Sequence, residues 1–124
     1  MIILDSSVWV ALFNDDDSQH KKAVKVFSNL KSSPIGLPEY IILEVASVLA
    51  LRANKAVSVQ FIEYALENGS IDVIYSSGLF FNASVGLFKK AKNLSFVDCS
   101  LLYLSRNNEI ITFDIGLKKA IASR

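Results

Sequence analysis

The sequence has one cysteine, Cys99, and one histidine, His20. No disulfide can form within the chain, which fits a reducing compartment. Zinc centres built from several Cys and His side chains are excluded as well. A Cys–His nucleophilic pair is not supported, because Cys99 falls in an apolar helical stretch rather than an electropositive one. There is also no excess of one charge. Thirteen basic and twelve acidic side chains leave a net +1, so any binding to a polyanion must come from local clustering. No segment reaches the roughly 18 apolar residues of a membrane span. The longest apolar run, 40–51, is broken by Glu44 and Ser47. The start, Met1-Ile2-Ile3-Leu4-Asp5, lacks the basic and long apolar regions of a signal peptide. The expectation is a cytoplasmic protein with no membrane partner.

The 124 residues suit a single domain, 1–124, with enough chain to bury a core. Hydrophobic residues make up 52% and charged residues 20%, an apolar share high enough to suggest that a partner covers some of the surface. Short β-branched runs are expected as strands at 2–4, 35–37, 71–75 and 109–113. Helices are expected at 6–13, 18–30, 39–53, 59–66, 79–91, 95–105 and 116–122. In the second of these, Ala23, Val26, Phe27 and Leu30 form the apolar face. Strands alternating with helices imply an α/β fold, a three-layer α/β/α sandwich around a short parallel sheet. The functional crevice of such a sheet lies beyond the carboxyl ends of its strands. Asp5 and Asp114 both fall there, at the ends of the first and fourth strands.

Each aspartate has an ordinary explanation as a helix cap. Asp5 and Asp114 precede helices, and Asp98 stands three residues after Ser95, the spacing of a capping box. The 14–17 cluster reads as a solvated turn, lacking the glycine and distal glutamate of a calcium loop. Glu44 is different. Its helix neighbours include Ile41, Leu43, Val45, Val48 and Leu49, and no basic residue lies within a turn of it. A carboxylate in such a place costs several kcal/mol unless it is paired, hydrogen-bonded or bound to metal. The competing explanation is an ion pair with a residue distant in sequence.

Asp5, Glu44, Asp98 and Asp114 sharing one crevice would repel one another, and a bound cation would remove that repulsion. Oxygen ligands without His or Cys select Mg²⁺ or Mn²⁺, and such a site suits phosphodiester hydrolysis. Ser7 and Thr112, each two residues from an aspartate, are candidates to orient the carboxylates.

Asp5-Ser6-Ser7 after the first strand, an isolated Glu44 in a long helix, Leu94-Ser95-Phe96-Val97-Asp98 opening a helix and Thr112-Phe113-Asp114 closing a strand together resemble the PIN domain. Order, spacing and length agree over nearly the whole chain, and the combination is most similar to the VapC-type toxins. The resemblance implies a Mg²⁺- or Mn²⁺-dependent endoribonuclease with Asp5, Glu44, Asp98 and Asp114 as its metal-site residues. Asp5 and Asp98 would be the most direct ligands, with Ser7 and Thr112 in support. It further implies a homodimer, an RNA substrate and a cognate antitoxin protein. Relatives often add a fifth strand after the last helix, for which this sequence leaves little room. His20 falls where many relatives carry a histidine, and a packing role is expected of it.

Lys89, Lys90, Lys92, Arg106, Lys118 and Lys119 are the candidate phosphate contacts, and no aromatic–basic signature of a base reader is visible. The main competing function is a non-catalytic PIN-fold module that binds protein or RNA and keeps its acids only as caps. A haloacid-dehalogenase-type phosphatase wants a second aspartate where Ser7 stands. A receiver domain wants neighbouring acids at the first strand's end and an aspartate at the end of a middle strand, whereas Asp72 is at the start of one.

Overall fold

β1 (Ile2–Leu4) runs through the interior of a four-stranded parallel sheet of order β3-β2-β1-β4, as seen in a computed structural model that describes residues 1–30 and 33–124. β2 (Ile35–Pro38) lies on one side of β1, with Ile3 opposite Gly36, and β4 (Glu109–Ile111) on the other, with Leu4 opposite Ile111. β3 (Ile71–Ile74) closes the sheet beside β2. Central strands of a parallel sheet are covered on both faces. That is why Ile3, Leu4 and Leu37 are fully buried, while Asp72 and Glu109 appear only on the edge strands.

The connections decide where a site can form. From β1 to β2 the chain passes through α1 (Ser6–Phe13) and α2 (His20–Ser28), and from β2 to β3 through α3 (Glu39–Arg52) and α4 (Lys55–Glu67). It then returns through α5 (Gly78–Lys90) and α6 (Phe96–Leu104) to β4, on the far side of β1, and ends in α7 (Ile115–Ser123). Right-handed crossovers place α1–α4 on one face and α5–α6 on the other. The packing agrees, with α1 against α2 and α3, α3 against α4, and α6 between α5 and α7. The direction of winding reverses between β1 and β4, so the crevice opens beyond their carboxyl ends. Trp9, surrounded by Phe13, Phe27, Phe61 and Tyr64, anchors the core under α1.

The expected elements all appear, with shifted ends. α2 starts at His20 rather than residue 18, because the Asp17 carboxylate takes the Gln19 N–H (2.8 Å) and holds a turn there. α4 starts at Lys55 rather than residue 59, because Asn54 accepts from the Val57 N–H (2.8 Å) as its N-cap. β4 ends at Ile111 rather than residue 113. Its last ladder bond is Asp5 N–H to the Ile111 carbonyl (2.9 Å), after which Thr112 turns inward. Asp114 therefore begins α7 instead of ending a strand. Among the described residues no helix is long and apolar enough to cross a membrane.

Candidate active site

Asp5 sits at the switch point and is 4% exposed. It is the N-cap of α1: one carboxylate oxygen accepts the Ser6 N–H at 2.7 Å. The other accepts the Thr112 hydroxyl at 2.7 Å and a longer bond from Ser7 at 3.4 Å. Thr112, itself buried, accepts the Asp114 N–H (3.0 Å), and the Ser7 hydroxyl accepts the Phe113 N–H (3.2 Å). The two hydroxyls thus tie the segment after β4 to the segment after β1, and both meet at the Asp5 carboxylate. Despite these donors, burial pushes the Asp5 carboxyl above its ordinary pKa, and the charge of Asp98 adds to the effect.

Glu44 projects from α3. Its Oε2 is buried and has no hydrogen-bond partner among the described residues. Burial raises its pKa first, then the charge of Asp5, with a smaller contribution from Asp98, while the Ser6 hydroxyl pulls the other way. Among the described residues no cation contributes to the shift. The one close charge contact among the described residues joins His20 Nε2 to Asp15 Oδ1 at 3.6 Å. The ion pair that could have explained Glu44 is therefore absent among the described residues.

Asp98 forms the capping box that its spacing suggested. Its backbone N–H donates to Ser95 Oγ (3.0 Å), and its Oδ2 accepts the Ser95 N–H (3.1 Å). It is half-buried, and its charge reaches both Asp5 and Glu44. Asp114 is exposed and caps α7 by accepting the Leu117 N–H at 2.9 Å. The structure therefore brings Asp5, Glu44 and Asp98 within electrostatic reach of one another, with Asp114 joined to Asp5 through Thr112. Among the described residues no three acidic, His or Cys side chains are close enough to form a closed metal cage.

Open arrangements of this kind suit Mg²⁺, which keeps several waters and takes only one or two carboxylates. The donor set is all oxygen, and Glu44 Oε2 is buried with a lone pair unused. Both observations fit a hard cation.

Tyr40 and Ser100 were not singled out in the sequence, yet they border the crevice. The Tyr40 hydroxyl lies 2.6 Å from Ser100 Oγ. Its phenol is pushed up to about 12 by burial, with the charges of Asp5 and Glu44 adding to the shift. Its ring also walls an apolar cavity of about 280 Å³, shared with Phe80, Phe81, Phe96 and Val97. Nothing in the composition marks a tyrosine at the head of a helix as part of a site; the closure of α3 against α6 does.

The remaining chemistry-bearing side chains are accounted for. His20 Nδ1 donates to the Ala11 carbonyl (2.8 Å) and pins α2 to α1, a packing role. The Cys99 thiol is fully buried and raised by burial and by Asp98, so it is no thiolate nucleophile.

A parallel α/β sheet with carboxylates at its switch point defines the class of protein. The profile of the PIN domain matches residues 2–121, and the chain belongs to that family. Solved structures that share the fold include the following two. One is the Mycobacterium tuberculosis VapC20, described as a sarcin–ricin loop cleaving toxin. It is 18% identical at a TM-score of 0.86, over 97% of this chain and 95% of that one. The other is FitAcB from Neisseria gonorrhoeae, 17% identical at a TM-score of 0.66, over 98% of this chain and 94% of that one. Comparison with curated protein sequences gives no match.

Proposed function

We propose that this PIN domain is a Mg²⁺- or Mn²⁺-dependent endoribonuclease, the toxin of a toxin–antitoxin pair. The observation that carries the reading is Glu44. It places a buried, unpartnered carboxylate oxygen beside two further acids, with no counter-charge among the described residues. As a structural feature this is costly; a bound cation would offset that cost. Caps alone would explain Asp5, Asp98 and Asp114, which is what a non-catalytic module would retain, but they leave Glu44 unexplained.

On this reading Asp5 and Asp98 would be the most direct ligands, with Glu44 and Asp114 as the other metal-site residues. A bound cation supplies charge neutralisation at the scissile phosphate and a more acidic attacking water. The chain's own residues do the rest. Thr112 and Ser7 hold the Asp5 carboxylate in one orientation through the bonds described above. Glu44 Oε2, free of other partners, is available to hold a water or accept its proton. Exposed Lys89, Lys90, Lys92, Arg106, Lys118 and Lys119 are candidates to hold the RNA backbone.

A protein partner has separate support. Leu79, Phe81 and Phe88 of α5 and Phe96 of α6 are exposed, and Phe96 stacks on Phe81 and Phe88 at 5.8 and 5.2 Å. An aromatic surface of this kind suits a second copy of the chain or an antitoxin.

The test is incubation of the protein with mixed cellular RNA, ribosomal RNA included, in Mg²⁺, Mn²⁺ or EDTA. Cleavage should require metal and disappear in folded Asp5→Asn and Asp98→Asn variants. Equal cleavage by those variants would refute the site assignment.

A further inference from the structure

The crevice has a mechanical problem. Glu44 is carried by α3 and Asp98 by α6, helices on opposite faces of the sheet, and the charges on the two repel. Neither acid is bonded to the other's helix. Something else must keep α3 and α6 closed at this point.

Tyr40 lies one turn before Glu44, on the same side of α3. Ser100 lies two residues after Asp98 and is 4% exposed. The Ser100 hydroxyl has a single proton, which goes to the Val97 carbonyl at 2.6 Å. In the 2.6 Å contact between the two hydroxyls, Tyr40 must therefore be the donor. The result is a directed chain from the Tyr40 O–H through the Ser100 O–H to a backbone carbonyl in the first turn of α6, next to Asp98. The phenol is also held by its ring, which stacks on Phe80 with centroids 6.0 Å apart; Phe80 packs in turn on Tyr103 at 5.8 Å.

We propose that the Tyr40–Ser100 hydroxyl pair is a strut that sets the spacing between Glu44 and Asp98, and through it the cation affinity of the crevice. Tyr40 and Ser100 are positioning residues and need not touch substrate. The inference rests on the metal-dependent reading above.

Mn²⁺ affinity of the folded protein, measured by calorimetric titration, tests it. Tyr40→Phe keeps the ring stack and removes only the donor; Ser100→Ala removes the acceptor. Each should weaken Mn²⁺ binding by about tenfold, the usual scale for loss of an outer-shell partner. The double variant should lose no more than either single one, because one interaction is removed in all three. Ser58→Ala is the control, since it deletes another buried hydroxyl bond to α3, that to the Ala46 carbonyl at 2.7 Å. It should lower stability yet leave Mn²⁺ affinity within about twofold of the parent, a change too small to count as loss of an outer-shell partner.

Tyr40→Phe binding as tightly as the parent would overturn the strut and leave the nuclease reading standing. So would multiplying penalties in the double variant, or an equal loss in Ser58→Ala. A parent protein that binds no Mn²⁺ would overturn both.

Discussion

Replacing Glu44 by glutamine should make the metal-free protein more stable and the metal-loaded protein relatively less so. In EDTA at neutral pH, Glu44 holds a buried oxygen without a partner near the charges of Asp5 and Asp98. A buried polar group in that condition costs about 1–3 kcal/mol, more if charged. Glutamine keeps the shape and removes the charge, but leaves an amide that is itself incompletely bonded, so the expected net gain is about 1 kcal/mol. For a domain of this size that raises Tm by about 3–5 °C. Metal reverses the order. A ligand at 100 times its Kd stabilises the folded state by about 2.7 kcal/mol, most of which the variant should forgo. Thermal melts of both proteins in EDTA and across a Mn²⁺ series should therefore cross. If Glu44→Gln instead loses about 3 kcal/mol in EDTA, the carboxylate is half of an ion pair and the reasoning fails.

Other outcomes follow from the same network. Thr112→Val removes the donor to Asp5 and the acceptor for the Asp114 N–H; it should cost about 2–3 kcal/mol in chemical denaturation, and Thr112→Ser should recover most of that. Asp114→Asn keeps the cap on Leu117 and should leave stability nearly unchanged while lowering RNA cleavage, whereas Asp114→Ala should also lose about 1 kcal/mol. Stability against pH in EDTA carries a sign. The folded state raises the pKa of Asp5 and Glu44, so their stabilising contribution is fully present below the unfolded carboxylate range, about pH 4, and is lost as pH rises through the raised values. The stability difference between the parent and Glu44→Gln should therefore shift toward the variant as pH rises over that interval; a difference independent of pH would contradict the burial and repulsion assigned to Glu44.

Much of this architecture is written in local patterns. The short β-branched runs and the apolar face of α2 mark those elements, and the Ser95–Asp98 spacing gives the capping box. Element ends were harder to read. Asn54 and Asp17 set the starts of α4 and α2 through side-chain bonds to the backbone, and such residues also occur in plain turns. The end of β4 depended on a partner over a hundred residues away: Thr112 leaves the strand because Asp5 draws its hydroxyl inward. The candidate site divides in the same way. Glu44 stands out from its apolar neighbours alone, and Asp5 and Asp114 are candidates from their places beside strands. Tyr40 and Ser100 are ordinary helix residues until α3 meets α6. The exposed stacking of Phe81, Phe88 and Phe96 is likewise a tertiary fact, foreshadowed only by the high apolar content.

The most direct test of the central claim is titration of the folded, EDTA-stripped protein with Mn²⁺. Binding should be saturable and be lost in Asp5→Asn and in Asp98→Asn, while both variants melt cooperatively without metal. A folded parent that binds no Mn²⁺, or variants that bind as the parent does, would contradict it.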